Sequence, residues 1–497
     1  MAVVAGTAAL SGSGSASLNG DELATVSAAS RSFAGLWTLA QSIDGHFLPY
    51  YLFMQLWAKA GTAELWLRLP SALAIGVAAW FLCDLGRRVH GLTAGIAASL
   101  IFAVLPSVSY YGAFARPYAL AAAASVFALW VLLRASGSPR SARAWVLYAL
   151  TVALVCCTHL FAVLTLPAHL FLLRRATAAR LLPALAVGFL PAVVLGLLGY
   201  GERHAISWIP QRGPDVLLKL PKMVAGANEV GLLLFAAALA GILALALTGH
   251  RGRGDTRRLL GTGIAAAPAA PGLPADEGVA AVQGAVAGQG VTARQAAGAF
   301  GAWLLLPPVL LLAISHLVTP VYVDRYLFVT APALALLAGI AVAAVPRVGA
   351  VAAAVLIAGS LVLALPQHQD VRDHNGRFED FPGAIRQIKA EPGDALIFGQ
   401  SSVRAGFDYY AAGTLWQDVL RLGQEPEPGG FGFPESRDVA VALQGRERVW
   451  MIWRGAKTSN LPRVRAVKEA GFRQVSSWHS AELPGLTVAL FTNRRTG

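Results

Sequence analysis

Apolar runs recurring from Trp66 to Leu365 constrain this chain more than any other feature. Ten are read: Trp66–Leu85, Leu92–Ser109, Tyr118–Leu133, Trp145–Cys157, Phe161–Leu173, Leu181–Tyr200, Val230–Thr248, Phe300–Val318, Tyr326–Val345 and Val348–Leu365. Most are roughly 16–20 residues, long enough for a helix to cross a bilayer. Trp145–Cys157 and Phe161–Leu173 are shorter and separated only by Thr158, His159 and Leu160. Fused, they would run to about 30 residues, too long for one span, so a tight hairpin is expected. The composition agrees: 497 residues, 56% hydrophobic and 13% charged, with a mean hydropathy of +0.57. A soluble protein carries about twice that charge fraction. The expected fold class is mainly α, a polytopic membrane domain over 1–366 with about 10–11 transmembrane helices.

The net charge of +13 raises the question of a nucleic-acid partner, and its distribution answers it. Arginines fall in alternate connections: Arg87 and Arg88; Arg134, Arg140 and Arg143; Arg174, Arg175 and Arg180; Arg251, Arg253, Arg257, Arg258 and Arg294; Arg347. Those loops hold 14 basic residues against 4 acidic ones, whereas the rest of the chain holds 26 against 23. Cations in every second loop mark the cytoplasmic side. The charge reports topology, and no nucleic acid is implied.

The other connections then face outward, including a first loop over 21–64. For the count to close, a helix should precede Asp21. Met1–Gly20 is polar, rich in glycine and serine, and lacks the basic n-region of a secretory signal. The preferred reading is a start placed late, with a membrane helix missing before it; a degenerate helix within Met1–Gly20 is the other. Cys83, Cys156 and Cys157 fall in or beside apolar runs, match no zinc spacing, and are read as packing residues.

Two stretches lie outside the membrane. Gly261–Gly298, rich in Ala, Gly, Pro and Gln, is expected to be a flexible cytoplasmic linker. The tail over 367–497 alternates helical and strand-like segments: helical spacing in Phe381–Ala390, strands at Ala395–Gly399, Val449–Trp453, Phe472–Ser477 and Leu486–Thr492, and a helix near Val464–Ala470. This predicts a small extracytoplasmic α/β domain.

The outward loops carry the chemistry. The first contains Asp21-Glu22, then Asp44-Gly45-His46, then Pro49–Ala60 with Tyr50, Tyr51, Phe53 and Trp57, an aromatic stretch suited to the bilayer surface. Later loops offer Tyr110–Tyr118 with Arg116, then His159, then Asp324-Arg325-Tyr326-Leu327. Taken singly, an arginine at this depth is expected to snorkel to headgroups and His159 to be a packed or hairpin-capping residue. Together, ionisable groups at one membrane edge mark a functional site. A carboxylate there can act as general base toward a hydroxyl, and guanidinium groups pair with phosphate oxygens. An aromatic slope suits a long hydrocarbon tail. Glycosyl transfer from a lipid-phosphate sugar is one chemistry that fits.

In order, Asp21-Glu22, Asp44-X-His46-X-X-Pro49-Tyr50-Tyr51 and Glu64-Leu65-Trp66-Leu67-Arg68-Leu69-Pro70 resemble the first outer loop of polyprenyl-phosphate-sugar-dependent glycosyltransferases. These GT-C membrane enzymes include bacterial protein mannosyltransferases and aminoarabinose transferases. Arg116-Pro117-Tyr118, Thr158-His159 and Asp324-Arg325-Tyr326-Leu327 are similar to its later landmarks, and the tail around Phe381–Phe398 resembles the outer domain of bacterial members. The resemblance implies a bacterial plasma-membrane enzyme whose catalytic residues are Asp21, as base, and its neighbour Glu22. It implies substrate contacts from Asp44, His46, Tyr50, Arg68, Arg116, Tyr118, His159, Arg325 and Tyr326, with Arg116 and Arg325 on the departing phosphate. Many relatives carry an acid two positions before the Arg of Arg-Pro-Tyr, where it helps bind a metal or position the acceptor. Phe114 stands there in this chain, leaving Asp44 and Glu22 as the acids available for that role and a divalent metal an open question.

The expected function is transfer, with inversion, of a mannose- or arabinose-like sugar from a polyprenyl-phosphate donor to an extracytoplasmic lipid, glycan or protein acceptor, among membrane lipids. The rival readings are a transporter or flippase, and a catalytically degenerate scaffold. Transporters place charges mid-helix and show internal repeats, and neither feature is seen here.

Overall fold

The computed structural model describes residues 1–202, 206–259, 292–373, 379–411, 417–480 and 485–493. They form two compact units. One comprises Met1–Leu10, Pro70–Ala113 and Pro117–Gln367; the other comprises Ser11–Leu69, Phe114–Arg116 and His368–Gly497. Residues 11–69 and 114–116 thus group with the tail, which a division by chain position does not express.

The first unit is helical. Seven helices are long and apolar enough to cross a membrane: Glu64–His90, Tyr118–Gly137, Arg175–Gly201, Asn228–Leu247, Ala293–Leu317, Asp324–Ala343 and Gly349–Arg372. Leu92–Ala103 and Pro106–Gly112 make an eighth if counted together, bent by 65° where Pro106 removes a helical donor. The remaining two runs form Ala142–Thr158, an α-helix, and Leu160–Leu172, a 3₁₀ helix, both short for a span. The chain is a multi-pass membrane protein. Small residues let its helices approach: a Cβ on Gly95 would lie 2.2 Å from the Cys83 carbonyl oxygen, and one on Gly241 would lie 2.1 Å from that of Leu337.

The N-terminal segment forms α1 (Ala2–Leu10), nine residues and by itself too short to cross a bilayer. The linker expectation over 261–298 is corrected at its end. Thr292 and Gln295 form a capping box that starts the helix Ala293–Leu317, so 293–298 are helical. Residues 261–291 lie outside the described residues.

The second unit joins helices to a sheet. Helices α2 (Gly20–Ala29), α3 (Phe33–Ala40) and α4 (Leu48–Trp57) come first, and the start of α5 (Glu64–His90) follows. The tail folds into five strands, β1 (Ala395–Phe398), β2 (Gln417–Asp418), β3 (Arg448–Arg454), β4 (Phe472–His479) and β5 (Leu486–Asn493), in the order β2-β1-β3-β5-β4. β1 runs parallel to β2 and β3, whereas β5 runs antiparallel to β3 and β4. Ile397, Met451, Ala489 and Phe491, with Val464 and Val467 of the helix Pro462–Glu469, form its core. Arg404 is fully buried between Asp418 and Glu435, both 2.5 Å away. The α/β expectation holds strand for strand except for the two-residue β2.

Candidate active site

Asn19 starts α2. Its Oδ1 accepts the Glu22 N–H at 3.1 Å, and Glu22 Oε2 accepts the Asn19 N–H at 3.2 Å. This reciprocal cap places Asp21 and Glu22 in a first turn, where the helix dipole favours carboxylates. The two acids then part company. Glu22 is fully buried and clamped by Arg68, with Nε on Oε1 and Nη2 on Oε2, each at 2.8 Å. The Ala115 N–H adds a third donor to Oε1 at 2.9 Å. Arg68, itself fully buried, spends its other protons on the carbonyls of Ser13, Ala16 and Ser17. The sequence gives Glu22 a catalytic and Arg68 a substrate-binding expectation; the fold pairs the two with each other, fully buried at the start of α2.

That pair positions Arg116. Glu22 takes the Ala115 N–H, and Thr25 Oγ1 donates to the Ala115 carbonyl at 2.9 Å, so both backbone groups of Ala115 are fastened to α2. The adjacent Arg116 side chain, 6% exposed, lies between two carboxylates: its Nη2 is 3.7 Å from Asp21 Oδ1 and 3.5 Å from Asp44 Oδ2. Tyr51 completes the set. It donates to Asp44 Oδ2 at 2.6 Å and accepts from Arg116 Nη1 at 2.6 Å. The guanidinium also sits over the Phe47 ring at 4.8 Å. Burial pushes the Tyr51 phenol well above its ordinary pKa, Arg116 opposes this and Asp44 adds to it, so Tyr51 stays a neutral donor. Asp44 adopts φ +58°, a left-handed conformation that Asp tolerates better than most residues. Asp21, with 34% of its side chain exposed, is the carboxylate of this cluster that solvent or substrate reaches most readily.

His46 and Tyr50 lie in the same unit. His46 is half-buried beside Phe47, with ring centroids 4.1 Å apart, and Tyr50 is buried against Tyr51 and Phe53. Tyr118, His159, Arg325 and Tyr326 belong to the first unit, where three of them cluster: the His159 ring lies 5.3 Å from Tyr118 and 4.9 Å from Tyr326. His159 also accepts the Phe161 N–H on Nδ1 at 3.1 Å, which is the hairpin-capping role. Arg325 lies 5.6 Å from the Trp208 ring and 5.9 Å from that of Tyr326. Sequence reasoning missed Tyr51 and Phe47. The aromatic run contained both, but nothing in it tells which ring of Tyr50-Tyr51 turns to Arg116.

Among the described residues, no three His, Cys, Asp or Glu side chains gather as a metal site requires. Asp21 and Asp44 share the Arg116 guanidinium. Of the two acids available in place of the one absent at Phe114, Asp44 faces Arg116 and Glu22 does not.

Residues 47–199 match the family model of dolichyl-phosphate-mannose-protein mannosyltransferases. The fold is shared with ArnT from Cupriavidus metallidurans, in its apo state (TM-score 0.54) and bound to undecaprenyl phosphate (TM-score 0.52). Each is 14% identical to this chain, covering 98% of it and 96% of the relative. No curated protein sequence matches significantly. The resemblance to GT-C enzymes carried by the ordered motifs is thus met by a family model over part of the chain and by a fold over nearly all of it.

Proposed function

We propose that this chain is a membrane glycosyltransferase that moves a sugar from a polyprenyl-phosphate donor to a hydroxyl acceptor, with inversion at the anomeric carbon. The observation that carries this reading is the partly exposed Asp21 carboxylate beside a guanidinium fixed by Asp44 and Tyr51. Asp21 takes the proton of the acceptor hydroxyl as its oxygen bonds the anomeric carbon. The carbon–oxygen bond to phosphate breaks on the opposite face, and its electron pair leaves as polyprenyl phosphate. Arg116 is the guanidinium we assign to the charge developing there, with Asp44 and Tyr51 holding its plane. Arg325, in the first unit, is a separate candidate for contact with a lipid phosphate.

The family model supports mannose as the sugar, the motif resemblance an arabinose-like pentose. ArnT's bound undecaprenyl phosphate supports the lipid. The arginine pattern supports a plasma-membrane location with Asp21 and the tail outside the cytoplasm. The test is glycan profiling of the cell envelope in a deletion strain, complemented with the native gene and with Asp21→Asn. Loss of one glycan, restored by the native gene alone, is expected. A deletion strain with an unaltered envelope would sink the proposal.

A further inference from the structure

Within the unit that holds Asp21, one pair of charges has no part in the arrangement above. Glu379, just before the helix Phe381–Gln387, is 6% exposed, and Arg454, at the end of β3, pairs with its Oε1. Glu379 Oε2 has no hydrogen-bond partner among the described residues. The pair stands against Gly20, the first residue of α2. A methyl group there would lie 3.2 Å from Arg454 Nη2, and 3.9 Å and 3.8 Å from Glu379 Oε1 and Oε2. Each partner is held from behind. The Ser17 hydroxyl donates to the Glu379 carbonyl, and Gln400 accepts the Arg454 N–H at 2.9 Å while donating to its carbonyl at 3.3 Å.

Resting on the reading of Asp21 as base, we propose that Glu379 and Arg454 are positioning residues for it: their ion pair seats the first turn of α2 and so fixes where the neighbouring carboxylate stands. The lack of a side chain at Gly20 is what lets the pair come up to the helix. Burying a carboxylate with one oxygen unmatched is unfavourable for the fold. Burial pushes the Glu379 pKa up; Arg454 and the Gly20 amide oppose this, and the Asp21 charge adds to it. Those groups are the ones that face Glu379 from β3 and α2. A carboxyl whose folded pKa lies above its unfolded value weakens the fold as pH rises through that interval, and the penalty is complete above it. A neutral glutamine at 379 should therefore cost no stability near pH 7. Local rules broken at a stability cost are expected where function requires them.

The purified full-length protein in detergent, probed by hydrogen exchange and mass spectrometry, decides the matter. Glu379→Gln should unfold no lower than the native protein at neutral pH, while the peptide covering Gly20–Leu23 exchanges roughly threefold faster or more, since local opening is set by the contacts of that turn. In the complemented deletion strain, Glu379→Gln at equal protein level should restore about a tenth of the glycan, a loss on the scale of a misplaced catalytic group. Glu379→Asp should restore most of it. Gly20→Ala gives an independent arm. Alanine is the better helix former, so without a seat it would slow exchange in this turn. Its methyl would come to 3.2 Å from Arg454 Nη2, close enough that the guanidinium must give way and loosen the seat, so exchange should quicken and glycan fall. Unchanged or slowed exchange in both variants overturns the proposal, as does full glycan with Glu379→Gln. If Glu379→Gln fails to fold, Gly20→Ala decides alone. If Asp21→Asn restores glycan, the reading of Asp21 as base falls, and exchange still decides whether the seat exists.

Discussion

Adjacent acids with opposite fates are the lesson at the scale of the residue. Asp21 and Glu22 follow one another on α2, and the helical step of about 100° turns them to different sides. Glu22 is spent on Arg68 and the Ala115 amide; Asp21 keeps a third of its side chain exposed. Asp21→Asn keeps the shape and removes the proton acceptor, so turnover should fall roughly 100-fold or more with donor affinity little changed. Retained turnover, measured with the native donor, would move the role to Asp44. For Glu22 and Arg68 the expectation concerns stability. Arg68→Met strands a buried carboxylate and should cost about 3–5 kcal/mol, whereas removing both charges together should recover most of that. Thermal unfolding of the two single variants and the double variant reads this cycle, and independent, additive losses would refute the pairing. That an acidic pair stands at the head of this segment was legible in the sequence. Which member did what was not, because the answer rests on Arg68 and Ala115, 46 and 93 residues further along.

Elements with a local signature were the readable ones. Strands β1, β3, β4 and β5 are bounded by turn residues and were found nearly at their ends; β2, two residues paired with β1, has no periodicity to detect. The hairpin between Ala142–Thr158 and Leu160–Leu172 was foreseen from the length of the runs, but not the 3₁₀ winding of its second arm. Pro167 within that arm removes a donor, yet a 3₁₀ helix of 13 residues is unusually long, and the sequence explains no more of it than that. At this scale the stacking of Arg325 is testable. Its guanidinium faces Trp208 and Tyr326, contacts that favour a planar cation over a compact ammonium. If Arg325 also meets the lipid phosphate, Arg325→Lys should be impaired and Arg325→Gln worse, mainly in turnover, because the negative charge grows as the bond breaks. An arginine that only snorkels to headgroups would accept lysine freely. Full turnover in Arg325→Lys therefore removes Arg325 from the reaction and leaves Arg116.

For the whole molecule, composition and charge pattern outran geometry. Ten apolar runs were read and all ten became helical, though seven are long enough alone to cross a membrane. Hydropathy changes abruptly near residue 366. The grouping of 11–69 and 114–116 with the tail was not legible, since it depends on pairings such as Ser17 with Glu379 and Leu18 with Tyr410, more than 350 residues apart. The arginine pattern makes a prediction on which the proposed reaction depends. Loops rich in arginine stay cytoplasmic because translocating them is unfavourable, so Gly137 should face the cytoplasm while Arg212 and, in the tail, Glu425 face outward. All three positions are exposed, so burial will not mask a thiol placed there. With Cys83, Cys156 and Cys157 replaced, single cysteines at the three sites should be treated with a membrane-impermeant maleimide on intact cells. Arg212→Cys and Glu425→Cys should label, and Gly137→Cys should label only after permeabilisation. The reverse result would put Asp21's unit, through its tail, on the side where the charge pattern forbids it, and transfer to an extracytoplasmic acceptor would fail with it.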